Sequence, residues 1–136
     1  MNTKELLIKH EGIRFTPYKC TAGRLTIGVG RNIEDKGITE QEALYLLDND
    51  IAECTRDLAN NLFKGMFYSF PENIKSVLIN MRFQLGYSGF RNFKKMIKAF
   101  HDWDFAEAAK QMRDSKWFEQ VPKRAKELIK MVKGEL

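Results

Sequence analysis

Apolar positions recur along this chain at two periods, and the change of period divides it. Leu6 and Leu7 predict the buried stripe of a first helix, opened by an Asn2/Glu5 capping box and stopped at Gly12. Over residues 14–30 the period shortens. Leu25, Ile27 and Val29 alternate with Arg24, Thr26 and Gly28, which is strand spacing, and Thr21-Ala22-Gly23 supplies a turn. On this phase Thr26 points away from the apolar face, toward solvent or a cleft. Gly28 and Gly30 leave that face bare, so that a ligand could approach the backbone. Glu34-Asp35-Lys36-Gly37 reads as a further turn.

Helical spacing then takes over. Thr39 and Glu42 form a second capping box, followed by Leu44, Leu47, Ile51, Thr55, Leu58 and Leu62 on one stripe. A helix of about 20 residues, near 30 Å long, is expected here, long enough to join two lobes. Cys54 falls beside its stripe and reads as a buried thiol. Further on, Pro71 opens and Gly86 closes a helix with Ile74, Val77, Leu78, Met81 and Leu85 inside. Asn80 and Gln84 share a side of it. Phe93, Met96, Ile97 and Phe100 predict another buried face, then Ala108, Ala109 and Met112 behind an Asp104 cap. Trp117 and Phe118 follow, then a last helix from Pro122 with Ala125, Leu128, Ile129 and Val132. These segments read as a helical bundle of about 65 residues.

Composition adds limits. At 43% hydrophobic and 30% charged residues the chain is ordinary globular material for one domain. No apolar run approaches the roughly 18 residues of a membrane span. The first ten residues resemble neither a signal peptide nor an anchor, which leads to the expectation of a protein made and held in a cytoplasm. Cys20 and Cys54 are then expected as reduced thiols. His10 and His101 are far apart in sequence, and no zinc spacing is present. The net charge of +5 is uneven: residues 1–90 balance eleven Lys/Arg against eleven Asp/Glu, whereas 91–133 hold twelve against six. That basic half would attract anionic polymers.

The candidate chemistry lies in residues 11–30. Glu11 ends the first helix, where the dipole disfavours a carboxylate. A local rule broken in this way often marks function, and a disfavoured ionised form suits a general acid. Cys20 could polarise a water, attack a sugar carbon or merely line a site, with Lys19 or Arg24 favouring its thiolate. Thr26 could hold a water through its hydroxyl. An acid with such helpers fits glycoside hydrolysis.

These residues resemble the phage-type lysozymes, the endolysin muramidases of tailed bacteriophages. The family motif is Glu, eight residues, Asp or Cys, five residues, Thr; here it is Glu11, Cys20 and Thr26. His10-Glu11-Gly12, Tyr18-Lys19 and Thr26-Ile27-Gly28-Val29-Gly30 match around it. Ile79 to Gly86 resembles the family's central-helix motif, and Ser115 to Ala125 its late motif. The resemblance implies an α+β, mostly α, two-lobed lysozyme-like fold within a single domain, 1–136. A lobe with a short antiparallel sheet (1–38) would precede a connecting helix (39–62) and a helical lobe (63–136). It implies cleavage of the β-1,4 bond between N-acetylmuramic acid and N-acetylglucosamine in peptidoglycan, with Glu11 as acid, Thr26 holding water and no cofactor. Gln84, Trp117, Gln120 and Arg124 would shape the cleft. The expected partner is bacterial peptidoglycan, with no nucleic acid and no stable membrane association, and the protein a monomer. It would wait in the host bacterial cytoplasm until a holin opens the way to the wall.

Three departures stand out. Cys20 replaces a carboxylate, which leaves the stereochemical outcome open. Arg31 stands where many relatives have His, and the chain is short between sheet and long helix. The rival readings are a non-catalytic wall-binding module, a lytic transglycosylase acting on the same bond, a cysteine peptidase or amidase pairing Cys20 with His101, and a nucleic-acid binder suggested by charge alone.

Overall fold

The computed structural model describes residues 1–135, in two compact units, Met1–Leu46 and Leu47–Leu136. The fold is α+β and mostly helical, as the pattern predicts.

The first unit opens with α1 (Thr3–Glu11). Asn2 accepts from the Glu5 amide at 2.8 Å, Glu5 reaches back to the Asn2 amide, and Gly12 ends the helix at φ 75° with its N–H on the Ile8 carbonyl. Strands β1 (Arg14–Lys19), β2 (Leu25–Gly28) and β3 (Arg31–Asn32) make an antiparallel sheet in that order. The β1–β2 register slips between Arg14 and Tyr18, around Pro17, whose missing N–H an edge-strand bulge tolerates. A short helix, α2 (Ile33–Lys36), leads through Gly37 to α3 (Glu40–Asp57). The expected Thr39 box is present: Glu42 N–H donates to Thr39 Oγ1 at 3.1 Å, and Thr39 N–H to Glu42 Oε1 at 2.8 Å. The boundary between the units falls within α3.

Here the apolar pattern and the structure part company. Leu6 and Leu7, expected in a buried stripe, are 43% and 50% exposed, and Leu44, Leu47 and Ile51 are exposed as well. Within residues 1–46 only Thr26 is buried among the described residues. A unit of this size, with one four-residue central strand, has too little structure to enclose Leu6, Leu7 and Leu44.

In the second unit, from Leu58 onward, the pattern holds almost residue by residue. A π-helical turn, Leu58–Leu62, prolongs the long helix, and a 3-10 turn spans Phe67–Ser69. Then follow α4 (Glu72–Arg91), α5 (Lys94–His101), α6 (Phe105–Arg113), α7 (Lys116–Gln120) and α8 (Pro122–Val132). Gly86, at φ 76°, breaks α4 where a stop is expected. The core runs from Leu58 to Val132 and includes the predicted residues of α4, α5, α6 and α8. Asp104 caps α6 through the Glu107 amide at 3.0 Å.

One polar cluster lies inside this unit. Asp57 accepts from Arg82 Nε at 2.7 Å, from both terminal nitrogens of Arg91 at 2.7 and 3.0 Å, and from Asn61 at 3.0 Å. Arg91 also stacks 3.3 Å from the Tyr87 ring centroid. Burial alone would raise the pKa of Asp57, but the hydrogen bonds from Arg91, Arg82 and Asn61 outweigh it and hold the carboxyl well below the usual range.

Candidate active site

Glu11 is the last residue of α1, solvent-exposed, and among the described residues it makes no hydrogen bond or ion pair. What it does touch is the β2–β3 turn. A methyl group on Gly30 would lie 2.8 Å from Glu11 Oε2, 3.2 Å from Cδ and 3.3 Å from Cγ. The glycine whose bareness suggested an approaching ligand therefore receives the acid side chain instead. Gly28, in the same turn, has nothing within 4 Å of the equivalent position. Both have positive φ, 69° at Gly28 and 63° at Gly30. This pair gives a controlled comparison. Gly28→Ala and Gly30→Ala should cost similar backbone strain, about 1–2 kcal/mol each. Only Gly30→Ala should displace the carboxylate, and any activity that depends on Glu11 should fall by about 10²-fold. Parallel melting curves and turnover rates of the two variants check it, and equal activities would remove Gly30 from the site.

Cys20 and Thr26 come together in the β1–β2 hairpin. Cys20 N–H donates to the Arg24 carbonyl at 2.9 Å, and the Gly23 N–H to the Cys20 carbonyl at 2.8 Å, closing a three-residue loop with Gly23 at φ 78°. The backbone groups of Arg24 and Ala22 bear on the thiol, and the Thr26 hydroxyl adds a smaller effect. Together they lower the thiol's pKa against a smaller opposing effect of burial. Backbone amides, rather than the expected Lys19 or Arg24 charges, thus favour the thiolate.

The orientation expected for Thr26 is corrected. It is 3% exposed, while Leu25, read as inward, is 40% exposed. β2 is the central strand, and Thr26 sits between Tyr18 and Asn32, the most enclosed position of the sheet. Its hydroxyl donates to the Arg24 carbonyl at 2.9 Å. A hydroxyl has one proton. In this structure that proton serves the Arg24 carbonyl, and the hydroxyl would have to turn to reach a Cys20 thiolate or a water.

Arg31 has a clear role within this unit. Its guanidinium donates to Gly37 O at 3.2 Å and pairs with Glu42 at 2.6–2.7 Å. Hydrogen bonds from Arg31, and then from Thr39, take the Glu42 pKa from 4.5 to about 2. A depressed carboxylate stabilises the fold fully above its unfolded value and loses that effect as pH falls through the folded one. The pairing should therefore be complete above about pH 4.5 and lost toward pH 2. Carboxyl-carbon NMR titration of Glu42 reads this directly, and a midpoint near 4.5 would contradict the pairing.

The phage lysozyme family model matches residues 8–133, nearly the whole chain and all the positions just described. The chain belongs to the phage lysozyme family. It is 30% identical to "Probable T4-type lysozyme 1" of Dictyostelium discoideum over 95% of this chain and 92% of that one. That alignment runs to 156 positions, so the relative carries segments this shorter chain lacks. It is also 30% identical to an "Endolysin" of Acyrthosiphon pisum secondary endosymbiont phage 1, over 82% of this chain and 74% of the other. Against the "Pre-baseplate central spike protein Gp5" of Enterobacteria phage T4 the identity is 28%, over 97% of this chain but 28% of that protein. As a phage lysozyme, the protein is a glycoside hydrolase.

The second-unit candidates of this lysozyme fall into two groups. Trp117 is 3% exposed, packs edge-on against Phe93 and donates its indole N–H to Gln84 Oε1 at 2.8 Å. Trp117 and Gln120 line a cavity of about 620 Å³ that Gln84 does not reach. Arg124 donates to Asn80 Oδ1 at 2.9 Å, and both line a separate cavity of about 450 Å³. Trp117 is thus a core residue that offers a cavity wall, and Gln84 fixes its ring. His101, the partner a cysteine peptidase would need, sits 2.7 Å from the Leu62 carbonyl through Nε2 and packs on Phe63. Cys54 is buried, and burial raises its pKa, as an inert thiol requires.

Proposed function

We propose that this lysozyme hydrolyses the β-1,4 bond between N-acetylmuramic acid and N-acetylglucosamine in peptidoglycan. The observation that carries this reading is Glu11: an exposed carboxylate at the negative end of a helix, without a partner among the described residues, seated against Gly30. Its protonated form gives a proton to the glycosidic oxygen as the bond to the sugar carbon breaks. A water adds to that carbon, and the Cys20 thiolate takes the water's second proton; solvent exchange then restores both groups. Direct attack by Cys20 on the sugar would give a covalent intermediate and retention instead. Thr26 and the amides of Arg24 and Ala22 favour the thiolate either reaction needs. In this reading Trp117 and Gln120 bind substrate along one cavity and Arg124 along another, with Gln84 holding Trp117.

The biological setting is host-cell lysis at the end of a phage infection. The enzyme acts as a monomer, and a separate hole-forming phage protein gives access to the wall. Among the described residues no helix is long and apolar enough to cross a membrane. Digestion of purified peptidoglycan, with product ends identified by mass spectrometry, tests the chemistry. New reducing N-acetylmuramic acid ends support it. A 1,6-anhydro end would replace hydrolysis by transglycosylation, and the absence of new ends would leave a binding module.

A further inference from the structure

Part of the excess positive charge of residues 91–133 forms a row on one helix. In α8, Lys123, Lys126 and Lys130, continued by Lys133 at its C-cap, are all exposed. At 100° per residue their spacing of three, four and three places them within an arc of about 80°, along about 15 Å of axis. The opposite face, Ala125, Leu128, Ile129 and Val132, is 0–4% exposed, and α4, α6 and α7 pack on α8. None of the four lysines forms an ion pair among the described residues. Glu127, beside the row and at helical spacing from Lys123 and Lys130, pairs with neither. The arginines Arg24, Arg31, Arg82 and Arg91, in contrast, are all taken up by carboxylates.

From this row we infer a docking surface for a phosphate-bearing anionic polymer of the bacterial wall. The inference rests on the proposed action at the wall and adds a second point of attachment, on α8. Four unpaired ammonium groups in a line can each meet one phosphate of a flexible chain and release its counterions. A bilayer fits less well, because every apolar residue of α8 apart from the half-buried Met131 is used in the core and none is left to insert. The row keeps the enzyme on its insoluble substrate and does not take part in bond cleavage.

The test is pelleting with purified walls on ice, in a Glu11→Gln background. Walls with intact phosphate polymers are compared with walls stripped of them by cold hydrofluoric acid. Substitution of Lys123, Lys126, Lys130 and Lys133 by Glu should weaken binding to intact walls more than 10-fold at low salt. The log–log salt slope should fall by about 3, near 0.7 for each ammonium–phosphate pair removed. Binding to stripped walls should be weak for both proteins. A charge-matched variant with Glu at Lys4, Lys9, Lys36 and Lys64 should bind intact walls at least 10-fold better than the row variant. Circular dichroism and melting confirm folding, and the Gln versions of the row should fall between. Equal binding of parent and row variant to intact walls overturns the inference. So does equal binding of the parent to both walls, or tighter binding to anionic vesicles or duplex DNA. Because the readout is binding, hydrolysis by an enzyme that ignores the row would sink this inference alone. A row that binds without any sugar cleavage would sink the muramidase reading instead.

Discussion

Glu11→Gln is expected to lower peptidoglycan hydrolysis by about 10²–10⁴-fold or more, the usual contribution of a positioned general acid, while the protein stays folded. The side chain is nearly isosteric and loses only its proton. Stability should barely change, because Glu11 is exposed and supports no hydrogen bond or ion pair among the described residues. Its removal from a helix C-terminus, where the dipole opposes a negative charge, should even add a few tenths of a kcal/mol. Loss of activity with an unchanged melting midpoint therefore separates catalysis from folding. Full activity of Glu11→Gln would require another acid, and no other residue of the Glu11–Thr26 segment can protonate a glycosidic oxygen near neutral pH.

The largest stability effect should come from a residue with no part in the site. Asp57→Asn is expected to cost about 3–5 kcal/mol, the range for breaking a buried ion pair from one side. Asp57 and Arg82 are each 7% exposed, and the change leaves the Arg82 guanidinium buried without a counter-charge. Against a total stability of about 5–15 kcal/mol this is a large fraction, and the melting midpoint should drop by about 10 °C or more. Arg91→Met should cost less, because its side chain is 24% exposed and also rests on Tyr87. Thermal melts of the two variants give the order. An Asp57→Asn midpoint within about 2 °C of the parent would mean that the network contributes little. The contribution of Asp57 should also fade as pH falls below the ordinary carboxylate range, since its folded pKa is depressed.

The Asp57 network left no trace in the sequence, because its members are 25 and 34 positions apart and each reads alone as a helix-surface charge. Gly30 was different. Its bare face signalled a close approach, but the group that comes near could not be named from strand phase. Thr26 was misjudged for a related reason. Alternation within one short strand cannot say which face the neighbouring strands enclose, and in a three-stranded sheet the central position decides it.

By itself the sequence determined most of the elements, because caps, turns and periodicity are local, although α2 occupies the place where Glu34 to Gly37 reads as a turn. The Asn2 and Thr39 boxes, the stops at Gly12 and Gly86, and the buried faces of α4, α5, α6 and α8 all follow from nearest neighbours along the chain. It also determined the family, since Glu11, Cys20 and Thr26 stand at fixed spacing. Only the tertiary structure decided which apolar stripes find a partner and what each polar group meets. Leu6, Leu7 and Leu44 have stripe spacing but stay exposed, as burial depends on the surface that other elements bring to them. The Cys20 thiolate is favoured by amides of its own turn, the Glu11 carboxylate lies against Gly30, and Asp57 holds two arginines. Each depends on distances that chain folding sets and that residue spacing cannot encode.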